Sequence, residues 1–320
     1  IMALRDAAAR GHSVQGATAW VTLEPCAHQG RTGPCCDALA AAGIGRVVSA
    51  LTDPNPKVAG QGMARLAAVG VQTETLPPAS DIALQARELN IGFFSRMERG
   101  LPWVRMKMAA SLDGQTALQN GQSQWITSAP ARADGHAWRA RACAILTGIG
   151  TVLEDDPLLN VRSVDTPRQP HLVVVDSRLD MPLTAKLLDT QGTGDQARQI
   201  WIYTATSEDL DKRAALTARG VTVIDCPGPG GKVDLAAMLR DLARREINEL
   251  HVEAGHKLNG SFIREGLVDE FLVYLAPQLL GPGQGLANLP ALTALSGAVQ
   301  LAFHAVDRIG PDLRLLLRRA

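Results

Sequence analysis

The chain has 320 residues, 46% apolar and 20% charged, which is material for two domains with real cores and excludes a disordered or fibrous chain. Lys+Arg and Asp+Glu balance at 32 each, so no global field recruits nucleic acid or an anionic membrane, although local basic sites for phosphates stay open. Apolar runs such as His171-Leu172-Val173-Val174-Val175 are strand-sized, no signal peptide is read at the start, and five cysteines, an odd number, argue for a reducing compartment; the expectation is a cytoplasmic protein without a membrane span.

In chain order, Ile1 to Arg10 has helical apolar spacing, and Ala17 to Leu23 reads as a strand. After a Cys-containing loop, Cys35 to Ala42 reads as a helix stopped by Gly43. Arg46 to Leu51 is a strand, Asp53-Pro54-Asn55-Pro56 a turn, Arg65 to Val69 a helix and Val71 to Thr75 a strand. Strand and helix alternate with short links, so a parallel sheet is expected. A boundary falls near Arg96 to Pro102, dividing the chain into domains 1–98 and 99–320. Beyond it the strand candidates are Trp103–Met108, Ala144–Thr147, His171–Asp176, Gln199–Thr204, Val221–Cys226, Glu249–Glu253 and Glu270–Leu275. Helices are expected over Ala131–Arg141 and Leu235–Arg245, and His304–Leu317 reads as a strand or hairpin. Cys143 and Cys226 fall on predicted strands and read as inert core residues.

The loop Thr22-Leu23-Glu24-Pro25-Cys26, followed by Pro34-Cys35, carries the first chemistry. Two proline-preceded thiols at this separation suit one zinc ion, and Cys35 sits at a helix start, where the dipole favours a thiolate. A catalytic zinc needs three protein ligands and an open position, and the third is not evident. The plainer readings are small loop residues, or a closed structural site that includes His28.

The run from Gly16 to Leu39, with its His28-Gln29-Gly30-Arg31-Thr32 stretch, resembles the deaminase domain of the bifunctional riboflavin-biosynthesis deaminase/reductases. Asp53-Pro54-Asn55-Pro56-Lys57-Val58-Ala59-Gly60 and Leu89-Asn90-Ile91-Gly92-Phe93 continue the likeness. Lys107-Met108-Ala109-Ala110-Ser111-Leu112-Asp113-Gly114, Gly121 to Thr127, Gly148 to Pro157, Val175-Asp176-Ser177-Arg178 and Val252-Glu253-Ala254-Gly255 are similar to the reductase half of the same family. The resemblance implies an α/β protein with an N-terminal cytidine-deaminase-like three-layer domain and a C-terminal dihydrofolate-reductase-like domain. In that family a His-Ala-Glu triplet, holding the third zinc ligand and the proton-shuttling Glu, would fall directly before Ile1. The expectation is therefore a native protein with a longer N-terminus. The alternative is a reductase only, with a truncated, inactive deaminase domain. A nucleotide-binding regulator with a structural zinc loop is the reading from another class.

The family implies Zn2+ on Cys26 and Cys35, and NADPH along Ala109, Trp125, Thr151, Asp155, Ser177, Arg178 and Gly255. It implies a pyrimidine ribosyl-phosphate substrate at Ser123, Arg139, Leu158, Arg162 and Glu253, with Asp155 and Lys107 as catalytic candidates. Arginine forks suit a phosphate, and Gly255, between a predicted strand and helix, suits close approach of a pyrophosphate. By the residues alone Arg139 also fits a solvated basic face with Arg132 and Arg141, and Asp155 fits an ordinary turn. Trp125 also fits a core, Arg178 a surface cation and Lys107 a strand end. The family further implies a homo-oligomer assembled through the reductase domain. Glu270–Leu275 is a candidate interface or, more simply, a core strand.

Overall fold

The computed structural model describes residues 1–30, 33–190, 192, 197–206 and 208–320; Arg31 and Thr32 of the loop motif lie outside the described residues. Two units divide the chain, Ile1–Gly100 and Leu101–Ala320.

The first unit runs α1 (Met2–Ala9), β1 (Thr18–Val21), α2 (Cys35–Ala41), β2 (Arg46–Ser49), α3 (Gln61–Ala68), β3 (Gln72–Thr75), α4 (Asp81–Leu89) and α5 (Ile91–Arg99). Its sheet is parallel in the order β1-β2-β3. Val47 and Val48 of the middle strand are both buried, so β2 reads as continuous apolar sequence rather than as alternation. Cys36, Leu39 and Leu66, from α2 and α3, share one core cluster with Val47. The helices α4 and α5 were not marked by the sequence pattern. Asn90 separates them, and each is nine residues long. Ser80 caps α4 by accepting the Ala83 N–H, and Gly100 ends α5 at φ 68°.

The second unit runs β4 (Trp103–Ser111), β5 (Gln115–Leu118), α6 (Ala129–Arg141), β6 (Ala144–Gly148), α7 (Ile149–Asp155), β7 (His171–Val175), β8 (Ile200–Thr204), α8 (Leu210–Ala218) and β9 (Val221–Asp225). It continues with α9 (Leu235–Arg244), β10 (Glu249–Val252), α10 (His256–Arg264), β11 (Glu270–Ala276), β12 (Gly283–Gly285), β13 (Leu301–Ile309) and β14 (Asp312–Arg319). The large sheet has the order β13-β14-β11-β4-β10-β6-β7-β8-β9. From β11 to β9 neighbours are parallel, and β14 is antiparallel to both β11 and its hairpin partner β13. Chain direction across the sheet reverses around β4, where β10 inserts between β4 and β6. Ligands of open α/β sheets sit at the carboxyl ends of strands at such a reversal.

One face of β4 and β10 is apolar. Val104, Met106, Leu250 and Val252 pack with Met238 and Leu242 of α9 and Phe262 of α10. Side chains alternate across a strand, so Arg105, Lys107, Glu249, His251 and Glu253 share the other face. This alternation positions the site. β11 is paired on both sides and almost wholly buried, so Glu270–Leu275 is a core strand with no free edge. Cys143 and Cys226 stand just outside β6 and β9, half-buried and packed against the main core cluster. No described helix is long and apolar enough to cross a membrane.

Candidate functional site

In the first unit the loop after β1 brings two thiols to one place. The Cys35 N–H donates to Cys26 Sγ at 3.3 Å, and the Cys36 N–H to the Cys26 carbonyl at 3.3 Å. Burial, then the adjacent Cys26, pushes the Cys35 thiol up. Two soft donors at one locus fit a zinc ion. Among the described residues no third His, Cys, Asp or Glu completes a metal-binding group, and His28 closes no structural site with them.

Glu24 is a clasp. Its buried carboxylate accepts the N–H groups of Asp53 (3.2 Å), Gly60 (2.8 Å), Gly62 (2.9 Å) and Met63 (3.3 Å), tying the Cys26 loop to the start of α3. Gly62 is needed for the approach, since a Cβ there would lie 1.8 Å from the Pro25 carbonyl oxygen. Asp53 beside it is buried too. Burial raises its carboxyl; the Asn55 N–H opposes that, and the Glu24 charge adds to it.

In the second unit the charged face of β4 and β10 meets α6. Arg139 is neither solvated nor a free clamp: its Nε and Nη2 grip both oxygens of Glu253, the second at 2.8 Å, and Nη1 donates to the Asn160 carbonyl at 3.1 Å. Burial works to raise the Glu253 carboxyl, but the Arg139 guanidinium, helped by His251 and Lys107, holds it well below the carboxylate range. Lys107 is mid-strand on β4, not at a strand end. Burial lowers its ammonium pKa; Glu253 opposes that shift and Arg139 adds to it. Arg162 is exposed and lies in the same field, lowered by burial and then by Arg139. The site thus assembles Arg139, Glu253, Lys107 and Arg162.

Two histidines belong to it that the sequence reading passed over. His136, buried on α6, accepts the Arg162 N–H on Nδ1 at 3.3 Å; burial, then Arg139 and Arg162, lowers its pKa to about 4. His251 is fully buried with Nε2 3.3 Å from Glu253 Oε1, and burial lowers its pKa. The pattern Glu249-x-His251-x-Glu253 within a buried strand was the available signal for His251. A lone helical histidine offered none for His136.

The cofactor candidates lie around the carboxyl ends of β6, β10 and β7. Gly148 and Gly255 precede α7 and α10, and neither helix start has a side-chain cap. Gly255 has an ordinary φ of −72°, so its contribution is the missing side chain; a Cβ would face Thr151 Oγ1 at 3.7 Å. Uncapped N–H groups behind a bare glycine fit a pyrophosphate. A cleft of about 440 Å³ adjoins the start of α10, lined by His256, Gln284 and Asn288 among others. Ala109 is half-buried on β4, and Ser177 Oγ accepts the Val233 N–H at 3.2 Å. Trp125 is 66% exposed and carries Arg132 at 4.4 Å over its ring, so it is no core tryptophan. Arg178 is a surface cation paired with Asp180 at 2.9 Å. Asp155 is not an ordinary turn residue but the exposed last residue of α7. Leu158 is partly exposed and Ser123 half-buried.

Comparison with known proteins agrees with both halves. Residues 102–315 match the RibD C-terminal domain, and residues 1–51 match the cytidine and deoxycytidylate deaminase zinc-binding region. The chain is 42% identical to the riboflavin biosynthesis protein RibD of Escherichia coli over 96% of its own length and 83% of that protein's. Acinetobacter baumannii RibD superposes with a TM-score of 0.85 at 38% identity, covering 99% of this chain and 84% of that one. A Thermotoga maritima diaminohydroxyphosphoribosylaminopyrimidine deaminase/5-amino-6-(5-phosphoribosylamino)uracil reductase superposes at 0.81 with 25% identity, covering 99% and 83%. With two thiols at one locus in one unit and a charged cluster on the sheet of the other, the chain belongs to the RibD family of bifunctional riboflavin-biosynthesis deaminase/reductases.

Proposed function

We infer that residues 1–98 form the zinc deaminase domain and residues 99–320 the NADPH-dependent reductase domain, acting in turn on a diaminopyrimidinone ribosyl phosphate and on its deaminated uracil product. The observation that carries this reading is the surplus of positive charge around the Arg139–Glu253 pair, at the sheet position where a phosphorylated substrate would meet a dinucleotide.

Cys26 and Cys35 supply two zinc ligands. Zinc, when bound, makes water acidic enough to serve as the nucleophile of deamination. Bound NADPH supplies the hydride that reduces C1 of the ribosyl group. Arg162 takes the substrate phosphate. Arg139 is already occupied on three nitrogens and chiefly holds Glu253 toward the sugar hydroxyls. Lys107, whose ammonium is made more acidic by burial, gives its proton to the ring oxygen as the ribose opens, and Asp155 orients the sugar. Ser123 and Leu158 line the substrate. Ala109, Trp125, Thr151, Asp155, Ser177, Arg178 and Gly255 line the cofactor. Five unpaired cysteines suit a cytoplasmic enzyme. The exposed side chains Phe303 and Val306 of the edge strand β13 suit a homo-oligomer through the reductase domain.

The test follows NADPH consumption by the purified chain with the ribosylamino-uracil phosphate. Turnover is expected, and Lys107→Met should reduce kcat by about 100-fold with an unchanged circular-dichroism spectrum. Wild-type protein that binds NADPH without consuming it would instead favour the nucleotide-binding regulator.

A further inference from the structure

The segment carrying Leu158 and Arg162 has no regular secondary structure, yet side chains from elsewhere hold its backbone from 159 to 162. Arg198 Nη2 donates to the Leu159 carbonyl at 3.0 Å. Arg139 Nη1 donates to the Asn160 carbonyl at 3.1 Å. Gln169 spends both ends of its amide on Val161, accepting from the N–H at 2.8 Å and donating to the carbonyl at 2.9 Å. His136 Nδ1 accepts the Arg162 N–H at 3.3 Å, which leaves the proton of the neutral ring on Nε2. Asp156 and Leu159 have φ of 40° and 45°, a region that non-glycine residues occupy only where the surroundings over-determine it.

Such an arrangement is unusual for a surface connection, whose polar groups normally go to water. Gln169 treats Val161 as a neighbouring strand would. Arg198 and His136 are buried, so neither is placed to bind a ligand itself. Their service is to the loop, and what the loop displays is the Arg162 guanidinium, steadied by a 3.1 Å bond from Nη1 to Asn160 Oδ1.

We propose that Gln169, His136 and Arg198 are positioning residues of the reductase, fixing the backbone of 159–162 so that Arg162 meets the substrate phosphate without reorganising. Arg139 joins them through the Asn160 carbonyl, so the same guanidinium that orients Glu253 also seats the phosphate-binding loop. The proposal rests on the reading of Arg162 as the phosphate ligand. Preorganisation of this kind lowers KM for the phosphorylated substrate and leaves the hydride step alone.

The experiment uses the full chain with the ribosylamino-uracil phosphate, comparing Gln169→Ala, His136→Leu and His136→Asn, with Arg162→Ala alone and combined with Gln169→Ala. Gln169→Ala and His136→Leu should each raise KM for that substrate about tenfold, with kcat and the KM for NADPH held within about twofold. His136→Asn keeps an acceptor near Nδ1 and should restore most of the affinity. Amide hydrogen exchange at Val161 and Arg162 should quicken in Gln169→Ala and His136→Leu but not in His136→Asn or in Arg162→Ala alone, a readout that does not depend on the substrate. Once Arg162→Ala is present, Gln169→Ala should add nothing. An unchanged KM in Arg162→Ala overturns the phosphate reading itself. A raised KM in Arg162→Ala beside a Gln169→Ala variant that exchanges quickly yet keeps its KM overturns the positioning proposal alone.

Discussion

Arg105 and Arg139 each grip a glutamate at one end of β10, Glu249 and Glu253, on the same face of the same sheet. Around Arg105 the ion pairs close on themselves, each of three arginines meeting a carboxylate. Glu270 receives Arg105 and Arg318, Glu249 receives Arg105 and Arg141, and the Trp138 ring lies 4.5 Å from the Arg105 guanidinium. Around Glu253 they do not close: Arg139, Lys107 and Arg162 act on that one carboxylate, and the neighbouring histidines are kept neutral by burial. The central pairs, Arg105–Glu270 and Arg139–Glu253, are both buried or nearly so, and burial alone would not tell them apart. The first is a finished fastening at the amino ends of the strands. The second is electrostatically unfinished at their carboxyl ends, which is where the proposed function would seat a phosphorylated substrate.

Exchanging the two glutamates is the strongest way to break this contrast. Glu270→Gln leaves the Arg105 cluster short of charge and should cost about 3–5 kcal/mol of stability in urea titrations, with KM unchanged in the folded enzyme. Glu253→Gln should instead reduce kcat/KM by about 100-fold or more, with a smaller loss of stability. If both variants lose only stability, the two clusters are alike and the site lies elsewhere.

Proton uptake sharpens the contrast next. The His136 pKa of about 4 lies below the value near 6.5 of an unfolded chain. The neutral ring contributes fully above about pH 6.5. As pH falls toward 4 the unfolded chain binds a proton that the native state refuses, and on the order of 3 kcal/mol is lost. His136→Asn should flatten that part of the stability curve. Burial alone would raise Glu270, but Arg105 and Arg318 depress it, so its contribution is complete above the unfolded carboxylate range and fades only as pH drops through the lower folded value. Stability measured in urea at stepped pH separates the two windows.

The smallest expected effect on stability belongs to Arg162→Ala. The side chain is exposed, so Tm should stay within about 1 °C, while KM for the phosphorylated substrate rises about tenfold. A fall in Tm comparable to that of Glu270→Gln would make Arg162 part of a fastening after all.

Much of the fold was legible because it rests on short-range patterns. The strand runs at His171 and Val221 and the glycine stop after α2 are local signals, and their elements formed within a residue or two of expectation. The pair α4 and α5 was not legible, because charged residues interrupt both helices and Asn90 breaks the pattern between them. Site residues divide the same way. Lys107, Arg139 and Glu253 were marked only by family likeness, since spacing left Arg139 as readily on a solvated face. His136 had no signal at all: its partner Arg162 is 26 residues away and bonds through its backbone. Side chains that serve another segment's main chain leave no periodic trace.

The Glu24 clasp bears on how such domains are recognised. One carboxylate gathers four main-chain donors and so determines the shape of the loop that presents Cys26. A Glu-Pro-Cys signature therefore certifies architecture before chemistry. A protein retaining it has kept the mould in which a metal ligand is cast, whether or not it deaminates anything. Screens that infer deamination from this triplet are counting moulds.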